Sequence, residues 1–225
     1  MTPNKFSIPI IGVTGNSGAG KSSVSKILES AGGFCIDADK LAHNVLSSSK
    51  TAYDRIIQVF GDGILKDGLI DRKKLGSVVF KDEGLRKQLE TIVHSEVIVM
   101  THELTRAIAR AIARAAARAV SEFKFAVWDA PLLVEAGMHK DCDYVCLVTA
   151  EHTVKLNRIV IRDNISSETA LLRLNNQPSE EDLLGQLIDD LGSARVKVID
   201  NSGNIEDIRN DALNLLEYII SVSQN

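Results

Sequence analysis

Residues 15–22 read Gly-Asn-Ser-Gly-Ala-Gly-Lys-Ser and fill every fixed position of the pattern G-x-x-x-x-G-K-[ST]. An apolar run, Ile10-Ile11-Gly12-Val13, precedes them, and a helix-like stretch, Ser23-Val24-Ser25-Lys26-Ile27-Leu28, follows. Strand, glycine-rich turn and helix form the context in which this pattern cradles phosphates. Glycines let the backbone come close to an anion, and the N–H groups then converge on it at a helix N-terminus. The pattern predicts a bound nucleoside triphosphate held by Gly15, Gly18, Ala19, Gly20, Lys21, Ser22 and Ser23. Lys21 would reach the β- and γ-phosphates, and the Ser22 hydroxyl would ligate magnesium.

Further apolar runs stand at Phe34–Ile36, Phe125–Trp128, Tyr144–Val148 and Val196–Ile199. Amphipathic helix patterns separate most of them, which predicts a parallel sheet covered on both faces. The expected fold class is α/β: a three-layer P-loop NTPase-type fold with a central parallel sheet of about five strands, a helical substrate-binding insertion and a lid. The 225 residues suffice for one such domain with an inserted subdomain. The stretch between the second and third runs is far longer than a crossover needs. It divides the chain into a nucleotide-binding core (1–39, 123–154 and 183–225), a mainly helical acceptor-binding insertion (40–122) and a lid (155–182).

A net charge of −4 gives no global pull towards nucleic acid, so phosphorylated partners must meet locally placed Arg and Lys. No stretch reaches the ~18 apolar residues of a membrane span, and the N-terminus has no signal-like core. Cys35, Cys142 and Cys146 are odd in number and lack CxxC spacing, which reads as reduced thiols in a cytoplasmic protein. Arg106, Arg110, Arg114 and Arg118 recur every fourth residue in an alanine-rich, helix-favouring stretch. That slanted stripe reads as a solvated face rather than a phosphate clamp.

Ile36-Asp37-Ala38-Asp39 ends the second run. In an open parallel sheet, ligands bind beyond the carboxyl ends of the strands. If the extension continues, Asp37 and Asp39 share a side. One could then take a proton from an attacking hydroxyl while the other holds magnesium through water. The alternative is that they cap a helix starting near Lys40. Asp129 ends the third run, where Walker-B strands carry the acid behind the magnesium, or it merely initiates a turn; Pro131 would force the chain into an extended turn over the ligand. Arg158 and Arg162, four apart on one helix side, suit a closing lid that neutralises phosphoryl charge, with Arg173 and Gln177 further on. His94 has no partner histidine at metal spacing, so a satisfied structural histidine is its default reading.

Taken together, I-G-V-T-G-N-S-G-A-G-K-S-S, I-D-A-D-K-L-A-H, D-G-L-I-D-R-K-K-L-G-S-V-V-F, W-D-A-P-L-L-V-E-A-G, the R-x-x-x-R-D lid, R-L-N-N-Q and V-I-D-N-S-G resemble the dephospho-CoA kinase family. The likeness runs from Ile10 to about Ala212. It implies transfer of the ATP γ-phosphoryl group to the 3′-hydroxyl of dephospho-CoA. It also implies Asp39 as the base, Lys21 with the loop amides as the ATP site, and Arg158 or Arg162 closing over the phosphates. Asp71, Arg72, Leu75 and His94 in the insertion would hold the acceptor, joined by Leu132, Glu135 and Asp37; Ser22 and Asp37 would be the magnesium ligands. The implied partners are ATP, magnesium and dephospho-CoA, with no nucleic acid or membrane, on a monomer or weak homo-oligomer. Asn16-Ser17 and Ala19 stand where the family often has Gly-Ile and Ser, and Ser95 stands in place of a proline. Gln177-Pro178 is one residue tighter than the family pattern and lacks the basic residue after it. Two other readings keep the loop: a kinase for another small acceptor (a nucleoside, a nucleotide or shikimate), and an ATP-binding regulatory pseudoenzyme.

Overall fold

The computed structural model describes residues 6–116 and 124–223. In chain order the main elements are β1 (Ile10–Thr14), α1 (Lys21–Ser30), β2 (Gly33–Asp37), α2 (Ala38–Ser48), α3 (Lys50–Phe60), β3 (Leu65–Lys66), β4 (Leu69–Ile70) and α4 (Arg72–Val79). After these come α5 (Glu83–Ala116), β5 (Phe125–Asp129), β6 (Tyr144–Thr149), α6 (His152–Asp163), α7 (Ser167–Asn175), α8 (Glu180–Leu191), β7 (Val196–Asp200) and α9 (Ile205–Ser223). They form two compact units: residues 37–104, and the remaining described residues.

The larger unit is built on one sheet, in strand order β2-β5-β1-β6-β7. β1 pairs in parallel with β5 (Ile11 opposite Val127) and with β6 (Val13 opposite Cys146), and β6 pairs in parallel with β7. Each apolar run expected to be a strand is one. All five residues of β1 are buried, as a central parallel strand covered by helices on both faces requires. Its first N–H, on Ile10, donates to the Asp143 carboxylate at 2.8 Å, so the strand's entry is satisfied too. Val24 and Leu28 of α1, Ile11, Val127, Val148 and Ile199 of the sheet, and Ile208 and Leu216 of α9 close one core. Each such side chain contributes about 1.5–3 kcal/mol by leaving water. Trp128 is buried on β5; its indole N–H donates to Thr105 Oγ1 at 3.0 Å, and Phe6 meets its ring edge-on at 5.8 Å. The Trp128 side chain therefore buries its large apolar area without stranding its polar atom.

The smaller unit is helical apart from one hairpin. Asp67 and Gly68 both take positive φ (52° and 76°) between Leu65–Lys66 and Leu69–Ile70, the signature of a two-residue primed turn. Asp-Gly is the dipeptide such a turn favours, while two-residue strands are too short to show a pattern. Asp37, Ser49 and Asp71 cap α2, α3 and α4 by accepting backbone N–H groups that the helices leave unpaired. Val45, Ala52, Ile56, Ile64, Leu75, Ile92 and Val97 form this unit's own core.

α5 contributes residues to both units. On it, Arg106, Arg110 and Arg114 are exposed while Ile108 is buried, the division expected of a solvated stripe. Arg106 also covers the Phe6 ring at 5.6 Å. Arg118 lies outside the described residues.

Candidate active site

The turn between β1 and α1 is shaped by two glycines for which no other residue substitutes freely. Gly15 has φ 140° and Gly20 φ 93°; a Cβ on the first would overlap the Val148 carbonyl oxygen, and on the second the amide of Asn201. Gly20 is the residue before α1, so Lys21, Ser22 and Ser23 open the helix with the N–H groups of its positive end. The Lys21 ammonium turns back over the loop, 2.8 Å from the Gly15 carbonyl and 3.4 Å from that of Asn16. Ala19 is fully buried and its N–H closes a turn onto Asn16 O at 3.1 Å. The Ser22 side chain is exposed. A concave backbone, a helix N-terminus and a fixed cation together make an anion site.

The loop is held from behind by residues far away in sequence. Asn201, at the end of β7, is buried and donates from Nδ2 to Ala19 O at 2.7 Å. Arg158 of α6 donates to the Gly18 and Ala19 carbonyls at 3.3 Å each and to Asn201 O at 2.9 Å. Arg158 thus clamps the loop's outer wall, a task the sequence did not suggest. Lys155, buried on α6, pairs with Glu180 at the start of α8 at 2.6 Å.

Arg162 lies differently. Its guanidinium bonds Asp163 at 2.7 and 3.0 Å and reaches Ser17 Oγ at 3.2 Å. Arg173 bonds the same carboxylate. The hydrogen bond from Arg162, reinforced by its charge and by Arg173, lowers the Asp163 carboxyl to about 2. The connector after α7 also meets the loop: Gln177 Oε1 accepts the Ser17 N–H at 2.9 Å, and Asn16 Nδ2 donates to Pro178 O at 3.0 Å.

Asp129 ends β5, and its carboxylate accepts a hydrogen bond from Ser25 of α1 at 2.8 Å. From Pro131 the chain turns, as expected, but through several successive turns rather than one extended one, with Leu133 N–H on Ala130 O, Ala136 on Leu132 O and Gly137 on Val134 O. Those internal bonds satisfy backbone groups that an extended loop would leave open. They leave Leu132 and Glu135 exposed on the loop. Behind it, the buried His139 ring bonds the Asp190 carboxylate of α8 at 2.8 Å.

Within the smaller unit, the Asp37–Asp39 extension is also corrected, because α2 begins at Ala38. Asp37 Oδ1 accepts the Lys40 N–H at 2.9 Å, and Oδ2 meets the Lys40 ammonium at 3.1 Å. Asp37 therefore does the capping work that the sequence left as an alternative, while Asp39 is exposed in the helix's first turn. Asp71 caps α4, and the backbone N–H groups of Lys74 and Lys73 lower its carboxyl pKa. Arg72 bonds His43 through the ring, at 3.0 Å to Nδ1, and through the backbone carbonyl. Leu75 is buried in this unit's core, so its side chain supports the fold rather than presenting a surface. His94 is half-buried on α5.

Among the described residues no cluster of His, Cys, Asp and Glu is arranged to hold a metal, and no helix is long and apolar enough to cross a membrane. The described cysteines are free thiols.

A family model described as dephospho-CoA kinase matches residues 9–207. A dephospho-CoA kinase of Fusobacterium nucleatum is 38% identical over 204 residues, which span 90% of this chain and 94% of the relative. The Geobacter sulfurreducens dephospho-CoA kinase is 40% identical over 202 residues, 88% and 92% of the two chains. Among solved structures, TT1252 from Thermus thermophilus superposes with a TM-score of 0.67 at 30% identity, covering 93% of this chain and 96% of that one. The dephospho-CoA kinase of Campylobacter jejuni gives 0.60 at 25% identity with the same coverage.

Proposed function

Because the chain belongs to the dephospho-CoA kinase family, we infer that it transfers the γ-phosphoryl group of ATP to the 3′-hydroxyl of dephospho-CoA, giving CoA and ADP. The single observation that carries the reading is the anion cradle at Gly15–Ser22, with its helix N-terminus and the fixed Lys21 ammonium. In the reaction the bond between the γ-phosphorus and the β–γ bridging oxygen breaks, and a bond from the ribose 3′-oxygen to phosphorus forms. Asp39 is the group proposed to receive the hydroxyl proton; its exposure in the first turn of α2 supports that role. Lys21 and the amides at the start of α1 would hold the β- and γ-phosphates, where charge builds on the leaving ADP. Arg162 is the lid arginine proposed to meet the transferred group, because Arg158 is already engaged with the loop's carbonyls.

Magnesium is part of this reading. It would offset the negative charge of the triphosphate and of the group in transfer. Magnesium is a hard cation that prefers oxygen ligands and keeps several waters, and the exposed Ser22 hydroxyl suits it. Asp37 suits it less well, since both carboxylate oxygens are engaged by Lys40. We propose that Asp71, Arg72, His94, Leu132 and Glu135 bear on acceptor binding, Leu75 only by supporting the unit that carries the first three. We propose a cytoplasmic protein, a location the free thiols support, acting as a monomer or weak homo-oligomer.

ADP release with magnesium and ATP, comparing dephospho-CoA with adenosine, AMP and shikimate, tests the acceptor. Turnover is expected with dephospho-CoA. Turnover with one of the other three alone would reassign the acceptor, and binding of ATP without any turnover would favour a regulatory protein.

A further inference from the structure

The side chains of the two positions following Gly15 both touch the segment from α6 to the connector after α7. Asn16 is buried and donates from Nδ2 to Pro178 O at 3.0 Å, in the connector that follows α7. Ser17 is half-buried, and its hydroxyl lies 3.2 Å from a guanidinium nitrogen of Arg162, in the last turn of α6. The donor loop thus meets this segment at the C-terminal end of α6 and again just after α7. A third contact, Ser17 N–H to Gln177 Oε1 at 2.9 Å, is independent of the Asn16 and Ser17 side chains.

We propose that Ser17 is a positioning residue for Arg162, and that Asn16 fixes the far end of the same lid, so that the donor loop itself sets where the lid arginine waits. The guanidinium's contacts include two to Asp163, at 2.7 and 3.0 Å, and one to Ser17 at 3.2 Å. Asp163 follows Arg162 on the same helix and travels with it, so it cannot fix the arginine relative to the phosphates. Ser17 belongs to the cradle and can. A side chain already placed loses less freedom when the transferring phosphoryl group needs it, which is an effect on the chemical step more than on ATP binding.

The proposal rests on the kinase reading and on Arg162 acting in it, and a double-mutant cycle separates the two. Ser17→Ala is expected to lower kcat about fivefold while the KM for ATP moves less than about twofold, the pattern of a contact used in the transition state. Ser17→Thr, which keeps the hydroxyl, is expected to restore most of that loss. In an Arg162→Ala background, Ser17→Ala is expected to cost nothing further. An equal loss from Ser17→Ala with and without Arg162, or no rescue by threonine, overturns the positioning role alone. An Arg162→Ala variant with wild-type kcat overturns both this proposal and the part given to Arg162 in the reaction.

Discussion

Asn201 donates from Nδ2 to the carbonyl of Ala19 at 2.7 Å, joining the end of β7 to the wall of the phosphate loop across 182 residues of sequence. The same amide occupies the space that a Cβ on Gly20 would need. Loop shape, glycine identity and the last strand of the sheet are therefore one constraint.

Gly20→Ala meets that constraint twice, through its φ of 93° and through the overlap with Asn201. We expect a loss of about 1–3 kcal/mol of stability from the strain, with a weakened ATP affinity. Gly63→Ala is the control, since a Cβ there meets open space. Urea denaturation and ATP titration read both variants; equal stability for the two would contradict the account.

Asp163 predicts a pH dependence with a definite sign. Its folded pKa is lowered, to about 2, chiefly by the Arg162 hydrogen bond. The stabilisation is thus present above the unfolded carboxylate pKa of about 4 and lost as pH falls through the folded value. The melting-temperature gap between the wild type and Asp163→Asn should hold steady above pH ~5 and narrow steadily towards pH ~2. A gap that widens on acidification would contradict the assignment.

The cysteines should divide sharply in reactivity. Burial pushes the Cys146 thiol up to about 12 and raises Cys142 well above its ordinary value. Thiolate is the reactive form, so both should resist an aromatic disulfide reagent at pH 8 in the folded protein. Cys35, partly exposed on β2, should react first, and unfolding should release the other two. Rapid labelling of Cys146 in the native state would contradict its burial.

Asp39→Asn should leave ATP affinity within about twofold and lower turnover by on the order of 10²–10⁴, the usual scale for a general base. Calorimetry and single-turnover kinetics separate the two effects. Near-normal turnover would move the proton acceptor elsewhere.

The sheet was legible because parallel strands buried on both faces leave unbroken apolar runs, and β1, β5 and β6 are such runs. The phosphate loop was legible because Gly15, Gly20 and Lys21 act through local backbone geometry. What could not be read was anything dependent on approach across the sheet: Asn201 and Arg158 on the loop wall, Lys155 with Glu180, and His139 with Asp190. Their signals in sequence are single polar residues at element ends, which look the same when solvated. The extension from Asp37 to Asp39 failed for a local reason, because one residue decides whether a strand continues or a helix starts, and the Asp37 carboxylate settles that by capping α2.

The most direct test is the identity of the product formed from magnesium, ATP and dephospho-CoA, read by mass spectrometry and phosphorus NMR. The account predicts CoA carrying its new phosphate on the ribose 3′-oxygen, with one ADP for each CoA. ADP formed without CoA, or a phosphate placed on any other oxygen, would contradict it.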